Sequence, residues 1–258
     1  MSYVLLSTQN LTKSFGGIMA NKGINFQIRQ GEVVAIIGPN GSGKTTFYNL
    51  LTGITKCTEG TITFEGQNIT GMKPQDITKL GISRTFQNIR LFRDLTVEQN
   101  IEVARHCRTS SNMWDALVHS KKYREEKAHN KEVIEMAMEY VGLTDKRDWK
   151  ATNLPYGMQR KLEIARALAT EPKLVLLDEP AAGMNPQETD DLADFICRIK
   201  AAFHLSIFVI EHHMDLIMSI SDRIYVLNFG KLIAQGTPEE IQNNQIVIDA
   251  YLGTGKTN

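Results

Sequence analysis

The 258-residue sequence has few cysteines and no long apolar run. Its three cysteines, Cys57, Cys107 and Cys197, lie far apart and form no Cys-x-x-Cys motif. That spacing argues against a disulfide framework or a zinc ribbon, and it favours a reducing compartment. The longest apolar runs, such as residues 33–37 and 174–177, fall far short of the roughly 18 residues that a membrane span requires. We therefore expect no transmembrane helix.

The sequence also lacks an excess of charge of either sign. Lysine plus arginine number 29, as do aspartate plus glutamate, so the formal net charge is zero. This argues against binding nucleic acid or a membrane surface through bulk positive charge, but it leaves local basic patches open. Residues 105–131 have such a bias, with seven lysines and arginines against three acidic residues, and a solvated helix or loop is the simplest interpretation. The N-terminal residues lack the features of a secretory signal, so we expect none.

A content of 42% hydrophobic and 22% charged residues is typical of a folded globular protein. Residues 1–30 alternate in the manner of strands, and mainly apolar segments at 33–37, 173–177 and 205–210 predict further strands. Helical patterns follow these runs at 45–51, 187–200 and 214–220, and a hairpin is predicted across residues 224–235. Strands that alternate with helices predict an α/β fold with a mainly parallel sheet. The stretch from about 90 to 160 is predicted to be a helical insertion, in which Thr96 and Gln99 form a capping box.

One segment fits the phosphate-loop pattern G-x-x-x-x-G-K-[ST] at every fixed position. It follows an apolar strand, opens a helix, and consists of Gly38, Pro39, Asn40, Gly41, Ser42, Gly43, Lys44 and Thr45. Glycines allow backbone N–H groups to point at phosphate oxygens, and the helix N-terminus favours negative charge. Lys44 is expected to bind the β- and γ-phosphates, and the Thr45 hydroxyl to ligate Mg²⁺. A glycine turn with a solvated lysine is a much weaker explanation of the same residues.

A second motif is an acidic pair at the end of a buried strand. Asp178 and Glu179 follow the run 174–177, and ligands bind at the carboxyl ends of strands in open α/β sheets. Two adjacent acids alone are weak evidence, but together with a phosphate loop they are typical of phosphate-loop NTPases. We expect Asp178 to face Mg²⁺. Glu179 is the better candidate for general base, because an acid that holds no metal can accept the proton of the attacking water.

With these motifs, five further stretches resemble the ATP-binding subunit of ABC transporters over nearly the whole chain. Phe15 stands where that family places an aromatic ring against adenine, and Phe86-Gln87-Asn88 is similar to its glutamine loop. Residues 154–160 are similar to its signature motif, 181–185 to its dimer-contact loop and 210–213 to the segment holding its switch histidine, here assigned to His212. Taken singly, Phe15 could be a core aromatic and Gln87 a surface amide. A metal site at adjacent His212 and His213 is disfavoured, because neighbouring strand residues point to opposite faces.

The resemblance implies a phosphate-loop NTPase core with an antiparallel β subdomain and a helical subdomain. The core and β subdomain would occupy about 1–95 and 160–240, the helical subdomain about 96–159, and a C-terminal helical extension 237–258. It also implies a site for ATP and Mg²⁺, in which Glu179, His212 and Gln87 are catalytic and Thr45, Gln87 and Asp178 serve the metal. The ATP-binding residues would be Phe15, the phosphate loop with Thr46, and, from a second subunit, Tyr156, Gly157, Met158 and Gln159.

The signature motif departs from the family's usual Leu-Ser-Gly-Gly-Gln. Pro155 replaces the serine and Tyr156 the first glycine, so the hydroxyl that normally contacts the γ-phosphate is absent, and proline also removes an N–H group. Gly157 and the start of a helix from about Met158 remain to attract phosphate. We therefore expect an altered site that still functions.

The altered signature and the long insertion are similar to those of the LivG-type ATPases of branched-chain amino acid importers. The resemblance implies membrane permease subunits, a second ATPase subunit of the same or a homologous chain, and indirectly a solute-binding protein as partners. It places the chain peripherally at the cytoplasmic face of the plasma (inner) membrane. The ATPase of a urea or short-amide importer, a soluble ABC ATPase that acts on DNA or ribosomes, and a regulatory module that binds ATP without hydrolysis are alternatives. Binding to nucleic acid is not expected.

Overall fold

The structure is a computed structural model that describes residues 3–252. These residues fall into two compact units, one running up to Ile77 and resuming at Lys173, the other comprising Thr78–Pro172. The strands are β1 (Val4–Phe15), β2 (Ile18–Arg29), β3 (Val33–Ile37), β4 (Glu59–Phe64), β5 (Gln67–Asn68), β6 (Ile82–Arg84), β7 (Leu174–Asp178), β8 (Ser206–Ile210), β9 (Arg223–Asn228) and β10 (Lys231–Gly236). The helices are α1 (Lys44–Leu51), α2 (Pro74–Leu80), α3 (Val97–Arg105), α4 (Met113–Leu117), α5 (Lys121–Tyr140), α6 (Tyr156–Leu168), α7 (Pro186–Phe203), α8 (Met214–Ile220), α9 (Pro238–Gln242) and α10 (Gln245–Leu252).

The first unit begins with an antiparallel sheet whose strand order is β2-β1-β4-β5. β1 and β2 form a long hairpin that pairs Leu6 with Ile28 near its base and Phe15 with Ile18 at its tip. Leu6 and Ile28 are both fully buried, as expected where alternate side chains of a strand face a core. The prediction of β-structure up to residue 30 is confirmed for the described residues.

A second sheet of this unit positions the candidate site, and in it β10, β9, β3, β8 and β7 are successive neighbours. β3 runs parallel to β8 and β9, β8 runs parallel to β7, and β10 is antiparallel to β9. Every residue of β3, β7 and β8 is buried, which is why each reads as an apolar run and not as an alternating pattern. Because these strands are parallel, Gly38, Asp178 and Glu211 lie at or just beyond the same edge of the sheet.

Helix α1 is held in place by an aromatic cluster. The ring centroid of Phe47 lies 5.1 Å from that of Phe26 on β2 and 6.2 Å from that of Phe208 on β8, both in edge-on arrangements. The neighbouring Tyr48 hydroxyl donates a hydrogen bond to Leu176 O at 3.1 Å. Edge-to-face aromatic pairs add to the stabilisation from burial alone. The helix that follows the phosphate loop is therefore rigidly attached to the strands.

The second unit is mainly helical, and the predicted segment 96–159 lies within it. The predicted capping box is present, with Gln99 N donating to Thr96 Oγ1 at 3.2 Å and Thr96 N donating to Gln99 Oε1 at 3.0 Å. The polar stretch 105–131 contains both loop and helix, because Asn112 and Ser120 cap two new helices there. The signature helix α6 begins at Tyr156, two residues before the predicted start.

Two short elements, α2 and β6, were not predicted, since seven and three residues give too little periodicity to detect. Thr237, where the expected C-terminal helical extension begins, forms a capping box with Glu240 at the start of α9. Residues 253–258 of the predicted C-terminal extension lie outside the described part of the chain. None of the helices described within residues 3–252 combines the length and apolar character that crossing a bilayer demands.

Candidate active site

The loop between β3 and α1 is made possible by glycine at points of very close approach. Gly38 and Gly43 have φ angles of 152° and 102°, in the region that side chains disfavour. A Cβ atom on Gly38 would lie 2.0 Å from Leu227 O, and one on Gly43 would lie 2.3 Å from Ala20 O. Any larger residue at either position would therefore displace backbone. The conformation of this loop depends on these glycines.

Neighbouring strands hold the loop in that conformation. Asn21 Nδ2 on β2 donates to Gly43 O at 3.2 Å, and Gly230 N in the β9–β10 turn donates to Ser42 O at 2.9 Å. The half-exposed side chain of Tyr251, on α10, forms a hydrogen bond with the backbone of Gly38. None of these contacts was predicted from the sequence, because the partners are distant along the chain.

Lys44 points back into the loop. Its Nζ donates to Gly38 O at 2.7 Å and to Pro39 O at 3.1 Å, and only 6% of the residue is exposed. Burial lowers the pKa of Lys44, and the nearby negative charge of Glu179 opposes that effect. The loop thus holds a buried ammonium group close to the carboxylate of Glu179.

Glu179 and His212 form a hydrogen-bonded pair. Glu179 follows β7 with a φ of 47°, and its N–H donates to Ile210 O at 2.8 Å, which ties it to the end of β8. Its Oε1 lies 2.7 Å from Nε2 of His212. The ring of His213 turns instead to Glu211, with 3.1 Å between Nδ1 and Oε2. His212 is therefore the histidine that reaches the acid after β7.

Glu211 organises this region, although sequence reasoning assigned it no role. It is 2% exposed, and its carboxylate accepts hydrogen bonds from the N–H groups of Ala181, His212 and His213 at 2.8, 2.5 and 3.2 Å. One buried carboxylate thus joins the turn after Glu179 to the segment that holds His212. An acidic residue directly after the apolar residues 207–210 was the one signal in the sequence.

Lys44, Glu179 and His212 line a common cavity of about 410 Å³. Its lining combines residues 40–46 with Glu179 and His212, and it also contains Phe229, Ile18 and Met19, which sequence reasoning missed. Phe15 is 50% exposed and pairs across the hairpin with Ile18, a residue of the lining, but is not itself part of that lining. Lys13 Nζ lies 4.6 Å from the centre of the Phe15 ring.

The oxygen donors of the site suit Mg²⁺, which prefers oxygen ligands and uses few protein carboxylates. Thr45 is exposed and lines the cavity, and Asp178 is 7% exposed at the end of β7. Residues 3–252 contain no group of three or more histidine, cysteine, aspartate or glutamate side chains arranged to hold a metal by themselves. A metal bound here would therefore share its coordination sphere with a ligand.

The remaining predicted residues, Gln87 and 156–159, lie in the second unit. There a buried ion pair on α6 holds the backbone of the glutamine loop. Arg160 donates to Phe86 O and Gln87 O at 2.8 and 2.9 Å and to Glu163 at 2.8 Å, while Glu163 accepts from Phe86 N at 3.2 Å. Both side chains are at least 96% buried, so the loop that carries Gln87 and the helix that begins at Tyr156 are locked together. The sequence contained Arg160 and Glu163 without indicating this contact.

Gly157 lies in the first turn of α6, and a Cβ atom there would meet nothing within 4 Å. Tyr156 is 48% exposed, and the Gln159 side chain donates to Leu154 O at 2.8 Å, which leaves its amide engaged locally. Pro155 occupies the N-cap position and supplies no side-chain capping hydrogen bond. The first turn of the helix therefore presents backbone and an open glycine.

Comparison with known proteins identifies the family of this chain. Residues 21–182 match the ABC transporter family, and residues 231–257 match the family described as branched-chain amino acid ATP-binding cassette transporter. The chain is 44% identical to the high-affinity branched-chain amino acid transport ATP-binding proteins LivG of Escherichia coli and BraF of Pseudomonas aeruginosa, over 98% of this chain and 99% of each relative.

Solved structures of ATP-binding cassettes from ABC transporters have the same fold as this chain. The ADP conformation of MJ1267, an ATP-binding cassette of an ABC transporter, superposes with a TM-score of 0.83 at 32% identity and covers 97% of this chain and 99% of that one. A nucleotide-free cassette from an ABC transporter gives a TM-score of 0.81 at 33% identity, covering 96% and 99% of the two chains. The predicted fold class is confirmed by these likenesses.

Proposed function

Because this chain belongs to the ABC transporter family of ATP-binding proteins, we propose that it hydrolyses ATP to drive an importer of branched-chain amino acids. The observation that supports ATP hydrolysis best is the cavity in which the Lys44 loop faces the Glu179–His212 pair. The amino acid specificity is supported by the relatives and by the match of residues 231–257. In this proposal the solute is selected by other chains of the importer, the permease subunits and the solute-binding protein.

In this proposal the phosphate loop binds ATP through backbone N–H groups and through Lys44, which exchanges its contacts with Gly38 O and Pro39 O for phosphate oxygens. Glu179 accepts the proton of the attacking water, and His212 orients the Glu179 carboxylate from 2.7 Å. Glu211 positions both groups through its backbone contacts. Phe15 and Phe229 are the aromatic groups available near the cavity mouth for the adenine ring.

We propose that Thr45 and Asp178 hold Mg²⁺ together with phosphate oxygens. Gln87, in the segment that is similar to the glutamine loop of the family, is proposed to add a further contact to the ion. When bound, the ion neutralises charge on the β- and γ-phosphates. The Arg160–Glu163 pair supports this role indirectly, since it fixes the backbone of Phe86 and Gln87 to the signature helix. A change at the signature can therefore reach the glutamine loop through a rigid contact.

The signature segment of residues 156–159 is proposed to complete the ATP site of a second ATPase subunit, the same or a homologous chain. Pro155 removes the hydroxyl contact of the usual motif, so self-association of the purified chain is expected to be weak. Membrane permease subunits that hold two ATPases together would raise their effective concentration. We place the assembly at the cytoplasmic face of the plasma (inner) membrane, with a solute-binding protein as an indirect partner.

Solute uptake by intact cells tests the proposed specificity. We expect cells that lack this chain to lose high-affinity uptake of labelled leucine and to regain it when the wild-type chain is restored. Uptake of labelled urea and acetamide serves as the comparison and is expected to be unchanged. Loss of urea or amide uptake with normal leucine uptake would replace this proposal by the importer for those solutes.

The variant Gly157→Asp tests whether the signature acts across subunits. The position is open, so the variant is expected to fold and to bind ATP as an isolated chain within about twofold of wild type. In the assembled transporter the new carboxylate would oppose the partner's γ-phosphate, and like charges brought together cost several kcal/mol, so ATPase activity is expected to fall at least about tenfold. Nucleotide titration and sedimentation of the isolated chain, with ATPase assays of the complex, measure both effects.

The matched control is Gly157→Asn, which has nearly the same volume without the charge and should retain most of the activity. If Gly157→Asp abolished ATP binding by the monomeric chain, the signature would belong to the same chain's site and the arrangement proposed here would be wrong.

A further inference from the structure

A group of large apolar side chains is exposed on α4 and the residue after it. Met113, Trp114, Leu117 and Val118 are 84%, 71%, 69% and 68% exposed, and we call them the α4 patch. They lie within six consecutive residues of the second unit. Scattered exposed apolar residues are ordinary in proteins, but contiguous ones mark an interaction surface.

The polar side chains of the same segment are held by local hydrogen bonds. Glu126 on α5 accepts four hydrogen bonds, from N and Oγ of both Ser110 and Ser111, at 2.8–3.0 Å. Desolvation raises the pKa of Glu126, but these hydrogen bonds lower it by more, to about 2. Asp115 in turn accepts from Asn112 N at 3.0 Å and from Ser120 Oγ at 2.9 Å. The loop is therefore anchored to α5 in a conformation that directs its apolar side chains outward.

The patch lies within a basic segment, residues 105–131, that the proposed function does not use. Residues 105–131 carry seven lysines and arginines against three acidic residues, in a chain whose net charge is zero. Lys121, Lys122, Arg124 and Lys127, at the start of α5, are exposed. Lys122 reaches back to the loop and donates to Ser110 O at 2.7 Å. Cations thus border the α4 patch.

We propose that the α4 patch inserts into the headgroup region of an anionic lipid bilayer, with the neighbouring lysines and Arg124 contacting acidic headgroups. Tryptophan is enriched at membrane interfaces, and a short apolar surface beside basic residues is typical of interfacial anchors. A stable protein interface uses about 20–30 residues on each side, many more than this patch offers, whereas a few inserted side chains suffice for weak adhesion to lipid. No residue of the nucleotide cavity takes part, so this proposal is tested separately from the proposed function.

The fluorescence of Trp114 provides a direct test. The chain contains two tryptophans, so Trp149→Phe makes Trp114 the sole tryptophan, and its emission can be followed by selective excitation of tryptophan. With the purified full chain, we expect vesicles containing phosphatidylglycerol to shift the emission to shorter wavelength and to co-sediment with the protein. Vesicles of pure phosphatidylcholine should do both much more weakly, and added salt should weaken the binding, since it screens exposed charges. Absence of a shift and of co-sedimentation with the anionic vesicles would overturn the proposal.

Variants then locate the contact. Leu117→Ser with Val118→Ser is expected to weaken partitioning onto anionic vesicles by about tenfold or more, because two inserted aliphatic side chains are lost. Ile246→Ser is the matched control, since Ile246 is 60% exposed on α10, outside the patch, and should leave binding unchanged. Lys121→Gln with Arg124→Gln should reduce both binding and its dependence on salt.

Thermal unfolding of each variant checks that the fold is kept, which is expected because all the altered side chains are exposed. Equal weakening by Ile246→Ser would mean that the α4 patch is not the contact. If the Leu117→Ser, Val118→Ser variant kept its vesicle binding but lost association with the permease, the patch would be a protein contact and the proposal would be wrong.

Discussion

Replacing Glu179 with glutamine is expected to slow ATP turnover by about 10²–10⁴-fold, the range typical of the loss of a general base. Glutamine keeps the size of the side chain and can still form a hydrogen bond with Nε2 of His212, which lies 2.7 Å from the carboxylate. It cannot take a proton from water. ATP binding should persist, because the contacts of the phosphate loop are untouched, and the variant should accumulate as an ATP-bound dimer in the assembled transporter.

Single-turnover and steady-state ATPase assays, together with nucleotide titration, separate the two effects. Glu139→Gln provides the control, since it makes the same chemical change at an exposed carboxylate of α5 and should leave turnover unchanged. Unchanged turnover in Glu179→Gln would assign the base to another residue, and His212→Ala would be the next variant to measure.

Lys44→Ala is expected to weaken ATP binding by about 100-fold or more and to abolish transport. Hydrogen bonds to charged groups contribute about 1.5–3 kcal/mol each, and 1.4 kcal/mol corresponds to a factor of ten, so the loss of contacts to two phosphates has at least this effect. The fold should survive, because the variant removes a buried ammonium whose pKa is already lowered by burial. Fluorescent-nucleotide titration and thermal unfolding measure affinity and stability in turn.

The matched control is Lys22→Ala, which removes an exposed lysine of β2 that does not line the cavity. It should leave ATP affinity and transport near wild type. Affinity of Lys44→Ala within about twofold of wild type would contradict the assignment of Lys44 to the phosphates.

Much of the fold was predictable because local signals agreed with the final structure. The apolar runs of β3, β7 and β8 predicted buried parallel strands, since a strand covered on both faces needs no polar side. The capping box at Thr96 marked a helix start that the structure confirms. The short elements α2 and β6 were not predicted, because a helix of seven residues and a strand of three are too short to show a clear periodic pattern.

The sequence predicted the main residues of the candidate site, but it predicted few of the contacts between them. The phosphate loop, Glu179 and His212 were named from motifs, and the structure brings them to one cavity. Glu211, Phe229 and Tyr251 were missed, as were the contacts of Arg160 with the glutamine loop. The contacts of Glu211 with Ala181 and of Arg160 with Gln87 join residues that are far apart in sequence, and a pattern within a short window cannot reveal such a partner.

The sequence by itself determined the chemical groups and the local conformations of this protein. Glycine at positions 38 and 43, Lys44 beside them, and two acids after an apolar strand specify a phosphate loop and its acidic partner by covalent structure and backbone sterics alone. The tertiary structure decided which groups meet. Parallel pairing of β7 and β8 brings Glu179 to His212, and burial of the Arg160–Glu163 pair fixes the glutamine loop. The anchoring of Ser110 and Ser111 by Glu126 turns the α4 patch outward. These outcomes depend on the packing of distant segments, because burial and hydrogen bonding are satisfied only when the whole chain has folded.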